Sequence, residues 1–156
     1  MHLVLRRKTG IPITLSIVLI EVARRLGVSL EPVGFPTHFL VGIRDAPGLF
    51  VDPFNEGRIL TVAECSALLH VNTGGVLAFE RGYLSPTPTA EVLARISRNL
   101  KAIHLKGEHL ESALRASERI LMLRPGDWSE LRERGVIQFR LGAYGPAIED
   151  LSLIHI

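Results

Sequence analysis

Cysteine is nearly absent from this chain. Cys65 stands alone among 156 residues, which excludes an intrachain disulfide and leads to the expectation of a reducing, cytoplasmic setting. An excess of either charge is also missing: eighteen Lys and Arg face sixteen Asp and Glu. Eight basic and seven acidic residues lie up to Arg81, and ten and nine beyond it. Neither half carries the basic excess that drives nucleic-acid binding through counterion release, so no nucleic-acid partner is expected. No apolar run is long enough to span a bilayer. Residues 11–23, preceded by Arg6-Arg7-Lys8, imitate a signal peptide, but Glu21 interrupts them and Arg24-Arg25 replace a small-residue cleavage site. A buried soluble helix is the reading, with no membrane partner. The chain has no phosphate loop or dinucleotide fingerprint. His70, His104 and His109 share no ligand spacing with Cys65, so neither a metal nor a cofactor is expected.

What is present supports a compact α+β chain with a helical appendage. Apolar residues make up 47% and charged residues 22%, as suits a globular core. Gly10 and Pro12 mark a helix start, and Leu15, Val18, Leu19, Val22 and Leu26 follow with helical spacing. Ile17 and Ile20 add apolar groups on other faces, so this helix is expected to be covered nearly all round. Gly27 supplies its left-handed cap. Three strand-like runs follow at 30–34, 38–43 and 49–51, the last two joined by a turn at Asp45-Ala46-Pro47-Gly48. Residues 61–69 read as a short helix with Thr61 as N-cap and Glu64 completing a capping box. Residues 72–88 show Gly and Pro without a period and read as a linker or irregular wrap.

Beyond Thr89 the pattern is helical, broken at Gly107, Pro125-Gly126 and Gly142. Starting at Trp128, the residues Gly135, Gly142, Tyr144 and Ala147 fall on the small, turn and packing positions of the 34-residue tetratricopeptide pattern. Residues 113–125 fit the end of an earlier repeat, closing proline included, although Gly107 lies one residue out of register.

Two residues point to chemistry. His38 opens one expected strand and Asp52 ends the next, and an antiparallel pair can bring such positions together. An imidazole oriented by a carboxylate is the second half of a Cys-His-Asp triad. The competing readings are structural: His38 as a core histidine, Asp52 as a cap on the turn into Pro53, and Cys65 as a small buried hydrophobe.

The motifs together carry a family likeness. Gly10-Ile11-Pro12 enters a helix that ends in Ala23-Arg24-Arg25-Leu26-Gly27; Pro36-Thr37-His38-Phe39-Leu40 and Val51-Asp52-Pro53-Phe54-Asn55 follow. With Arg98-Asn99-Leu100-Lys101 and Arg132-Glu133-Arg134-Gly135, the chain resembles the SirB family of bacterial transglutaminase-like/tetratricopeptide proteins over roughly residues 4–151. Family members usually have Gly in place of Thr37 and Asp in place of Glu133. The resemblance implies a partial transglutaminase-like (papain-like) core over residues 1–87, then tetratricopeptide-like α-helical hairpins over 88–151. In active relatives a cysteine sits at the N-terminus of the central helix, where the helix dipole and a neighbouring imidazole lower its pKa. That slot falls near Pro12, and no residue from Ile11 through Ser16 is cysteine. Thr14 and Ser16 could substitute only as alcohols, which need stronger activation. His38 and Asp52 are then a vestigial catalytic dyad.

The family carries a further helical segment ahead of the position of Met1, so an N-terminal truncation is expected. The last six residues, Leu151-Ser152-Leu153-Ile154-His155-Ile156, leave the family pattern and resemble translated adapter sequence, which makes 152–156 a non-native tail. The expected function is non-catalytic protein–protein interaction or regulation, with a Cys-His-Asp-type hydrolase or acyltransferase that has lost or replaced its nucleophile as the alternative. A structural adaptor acting through its helices alone is a third reading. A protein or peptide partner is expected on the helical region. Phasing the repeats from Trp128 places Arg132, Phe139 and Arg140 on the concave face, and Arg95, Arg98 and Lys106 one repeat earlier. Those side chains suit an acidic peptide or a C-terminal carboxylate. The competing reading pairs them with Glu91, Glu130 or Glu133 along the same helices.

Overall fold

The computed structural model describes residues 2–152. They fall into two compact units, one over Met1–Pro88 and one over Thr89–Ile156. Of the expected non-native tail, Ser152 is the last residue of a helix and the rest lies outside the described residues.

The first unit is α+β. A short helix α1 (His2–Arg7) precedes the central helix α2 (Pro12–Arg25). Thr14 builds the N-terminal cap of α2: its Oγ1 accepts the Ile11 N–H at 3.0 Å and donates to the Ile11 carbonyl at 2.9 Å. At the other end Gly27 has φ +77°. The Gly27 N–H donates to Arg24 O and the Val28 N–H to Ala23 O, which is the Schellman arrangement that left-handed glycine permits.

Four strands form an antiparallel sheet in the order β1-β2-β3-β4: β1 (Leu30–Val33), β2 (Leu40–Ile43), β3 (Leu49–Asp52) and β4 (Arg58–Thr61). The sequence pattern predicts three. β4 is a four-residue segment with Arg58 and Thr61 at its ends, too short and polar to show a strand period, and only its pairing with β3 reveals it. α3 (Val62–Thr73) follows directly. Thr61 and Glu64 form a reciprocal capping box at its start. The helix runs four residues past its expected end and stops at Gly74, φ +61°.

The core joins sheet and helix. Val33, Phe35, Leu40, Phe50 and Leu60 pack with Cys65 and Leu69 of α3. The segment after α3 is the irregular wrap: Phe79 and the 3₁₀ turn Arg81–Leu84 bring Tyr83 and Leu84 onto that cluster. Thr87 then braces the outer edge of β1, where its N–H donates to Pro32 O at 2.7 Å and its Oγ1 accepts the Gly34 N–H at 2.6 Å. α2 packs on β1 and β2. Only Ile13, Ser16 and Ala23 of α2 are buried, while Val22 and, just past the helix, Leu26 are exposed. The expected covering nearly all round is met only in part: Val22 is exposed, and Leu15, Ile17, Val18, Leu19 and Ile20 are half-buried.

The second unit comprises α4 (Thr89–Lys106), α5 (Leu110–Leu123), α6 (Trp128–Arg140) and α7 (Tyr144–Ser152), with successive helices packed together. Gly135 lets α6 and α7 approach closely: a Cβ there would lie 2.9 Å from Leu151 Cγ. Gly142, φ +76°, closes α6 through Gly142 N–H to Phe139 O and Ala143 N–H to Gln138 O. One repeat earlier, the left-handed slot is filled by Glu108, φ +57°, and not by Gly107. The irregular phase seen in the sequence is this one-residue offset.

Candidate functional site

His38 does not open a strand. It lies in the turn that precedes β2, where its N–H donates to Phe35 O at 3.1 Å. Thr37 just before it has φ +62°, a conformation open to glycine and strained for a β-branched residue. This turn swings the imidazole over the end of β3. His38 Nε2 lies 2.8 Å from Asp52 Oδ1, and both side chains are more than nine-tenths buried. Phe54 stands edge-on to the ring with centroids 5.9 Å apart.

Asp52 is occupied from several sides. Oδ1 also accepts the N–H groups of Phe54 at 3.0 Å and Asn55 at 3.2 Å, and Oδ2 accepts Asn55 Nδ2 at 2.7 Å. Burial pushes this carboxyl's pKa up, but the Asn55 side-chain amide, His38 and the Asn55 backbone outweigh it and hold the group below the usual aspartate value. The carboxylate thus lies against the His38 imidazole and caps the turn after β3. The sequence motif contains Asn55 but does not by itself assign it this role toward Asp52. Its position three residues after Asp52, in an Asp-led turn, was the available signal.

No residue from Ile11 through Ser16, at the start of α2, carries a thiol. In the first turn of α2, Thr14 is engaged by its cap. Ser16 is fully buried, and its Oγ donates to Phe39 O over a long 3.5 Å. Cys65, on α3, is enclosed in the core with no exposed surface. Burial first, and then the negative charges of Glu64 and Asp52, push its pKa up to about 11, so it is a neutral thiol at physiological pH. Beside Asp52 and Asn55 a cleft of about 280 Å³ opens toward Arg58, Glu64 and α3. Among the described residues no group of three or more His, Cys, Asp or Glu is placed to hold a metal, and no helix is long and apolar enough to cross a membrane.

On the helical unit the expected peptide-binding side chains are separated by role. Arg132, Phe139 and Arg140 are exposed on α6, and Phe139 meets Tyr144 edge-on at 5.5 Å. On α4, Lys106 is exposed and Arg95 is half-buried, where burial first and Arg98 second push its pKa down. Arg98 donates from Nη2 to Asp127 Oδ2 at 3.1 Å. The ion pairs of this unit run between elements and not along one helix: Arg124 of the α5–α6 connection reaches Glu91 of α4 at 2.8 Å, and Arg134 of α6 grips Asp150 of α7 with two 2.6 Å bonds.

Sequence reading gave no role to Lys101. Its ammonium, 5% exposed, donates to both oxygens of buried Glu130 and to Glu133 Oε2, each at 2.6 Å. Ser117 Oγ donates to Glu130 Oε1 as well. The signal was present: Lys101 lies 34 residues before Gly135, in the slot the repeat reserves for a small residue.

Comparison with known proteins agrees with this architecture. Residues 1–98 match the model of the transglutaminase-like superfamily, and residues 100–153 match a tetratricopeptide repeat. A UPF0162 protein of Xylella fastidiosa is 39% identical over 96% of this chain and 54% of its own length. Protein SirB1 of Salmonella typhimurium is 32% identical over 96% of this chain and 56% of its own length. F-box only protein 21 of Mus musculus is 47% identical over 44% of this chain and 12% of its own length. The chain spans about half the length of the bacterial relatives it matches. No solved structure matches it.

Proposed function

The chain belongs to the transglutaminase-like superfamily, and from that premise we propose that it is a non-catalytic member working in protein–protein interaction or regulation in the cytoplasm. The observation that carries this reading is the location of its one thiol. A transglutaminase-like nucleophile needs an accessible cysteine of lowered pKa at the start of the central helix. Cys65 lies on a different helix, is sealed in the core, and has its pKa pushed the other way. The tetratricopeptide match over residues 100–153 supplies the interaction half of the proposal, since stacked helical hairpins present extended surfaces to partners.

Amine incorporation into a glutamine-containing acceptor protein, run beside labelling by an electrophilic thiol probe, tests the proposal. Neither signal is expected from the folded chain. Robust turnover that disappears in Cys65→Ala would promote Cys65 to nucleophile and overturn it. One observation favours a second reading as hydrolase or acyltransferase: Ser16 is a buried alcohol bonded to the carbonyl of Phe39, the residue after His38. Ester hydrolysis lost in both Ser16→Ala and His38→Ala, with the fold intact by circular dichroism, would establish that alternative.

A further inference from the structure

A groove of about 310 Å³ opens between α4 and α6. Arg98 and Ala102 line it from α4, and Ser129 and Glu133 from α6. Asp127, Lys101 and Glu130 complete its floor. These helices are the first of each hairpin, the ones that face a partner in a repeat array. The groove was expected to offer arginines to an acidic peptide, and its floor is already neutralised. Lys101 spends its three N–H bonds on Glu130 and Glu133, and Arg98 is turned onto Asp127.

The lining carries two cations, Arg98 and Lys101, against three carboxylates, Asp127, Glu130 and Glu133. The available acceptor is Glu133, whose side chain is 48% exposed and which receives Lys101 on Oε2 alone. Three and six residues further along α6 stand Val136 and Phe139, 49% and 60% exposed. Val136, three residues on, is the surface neighbour of Glu133, and Phe139 is in turn the neighbour of Val136, so a carboxylate is followed by an apolar pair that winds away from it.

We propose that this groove receives a lysine or arginine side chain of a partner polypeptide on Glu133, with a neighbouring large apolar side chain of the partner laid on Val136 and Phe139. The inference rests on the interaction reading above and reverses the sign of the peptide that the sequence alone suggested. The exposed Arg132 and Arg140 flank this pair, so a segment with one cation next to an apolar residue fits, and a polybasic one is repelled.

Fluorescence anisotropy on the full chain with two labelled peptide pools tests this. One pool holds Lys or Arg beside Phe or Leu, and the other carries Glu in place of the base. The basic–apolar pool should bind, weaken at least tenfold in Glu133→Lys and severalfold in Glu133→Gln, and tighten in Arg132→Glu. Circular dichroism confirms folding of each variant, and Val136→Asp, at an exposed position, provides a second route to the same loss. Preferential binding of the acidic pool, abolished by Arg132→Glu with Arg140→Glu, would overturn this inference and leave the interaction reading intact. Binding of neither pool would overturn both.

Discussion

Replacing Lys101 by Met keeps the length and apolar stem of the side chain and removes only its charge. Glu130 then remains 3% exposed with a carboxylate that has lost two 2.6 Å bonds to the ammonium, and Ser117 is left as its one side-chain donor. Breaking a buried pair by deleting one partner costs about 3–5 kcal/mol, because the surviving charge is uncompensated. That is a large share of the roughly 5–15 kcal/mol by which domains are stable. The double variant Lys101→Met, Glu130→Leu removes both charges and should lie within about 1 kcal/mol of the parent, since buried ion pairs seldom exceed a well-packed apolar replacement. Urea titration followed by circular dichroism at 222 nm measures all four corners of the cycle, and a coupling of more than about 2 kcal/mol is expected between the sites. A Lys101→Met variant destabilised by less than about 1 kcal/mol, or a double variant whose loss equals the sum of the single ones, would refute the reasoning.

Three further outcomes follow from particular residues. Thr37→Gly and Glu108→Gly each relieve a left-handed residue that costs about 1–2 kcal/mol, offset by about 0.5–1 kcal/mol of glycine entropy. Each should raise stability by up to about 1 kcal/mol in thermal melts, and a fall in either melting temperature contradicts the strain. Cys65 should resist a thiol reagent at pH 8 and react fully once unfolded in about 6 M guanidinium, above the roughly 5 M midpoint beyond which a domain counts as hyperstable. Because its folded pKa lies near 11 against an ordinary 9.0, its contribution to stability is complete below pH 9.0 and is lost as pH rises toward 11; Cys65→Ala should flatten that alkaline slope. Asp52 is held below its ordinary value, so its contribution is present above the unfolded aspartate range and lost as pH falls through its folded pKa. Asp52→Asn should cost about 1–3 kcal/mol at neutral pH and shrink the acid-side loss of stability, and an unchanged acid limb would remove Asp52 from that role.

Much of the architecture was legible because local chemistry agrees with the fold. Pro12 and Gly27 bracket α2, Thr61 and Glu64 cap α3, and Gly142 ends α6, each as its turn or cap requires. The approach of His38 to Asp52 could be read because a hairpin places the two residues at one end, although the agent is the strained turn at Thr37 and not strand pairing. β4 was hidden by its brevity, and the partial cover of α2 by the fact that apolar spacing reports what a helix can bury and not what lies against it. Ion pairing was misread for a related reason. Sequence offers partners three or four residues apart, whereas Arg98, Lys101, Arg124 and Arg134 find theirs across helices.

The two helical hairpins solve one packing problem in two ways, and the difference explains both the hidden residue and the sign of the groove. At the shared slot the second hairpin has Gly135, with no side chain, and α6 settles directly against Leu151 and Asp150 of α7. The first hairpin has Lys101, whose side chain reaches α6. Its ammonium can be buried only where carboxylates receive it, and α6 supplies them as Glu130 and Glu133, with Ser117 of α5 completing the shell of Glu130. One lysine in a glycine slot therefore draws two glutamates to the α4–α6 groove. Because a single ammonium neutralises only one of them, an acceptor is left at the more exposed, Glu133. Substituting Lys101 by Gly to match the second hairpin would not restore the repeat. It would leave two adjacent carboxylates without a counter-charge, so the residues at 101, 130 and 133 must change together.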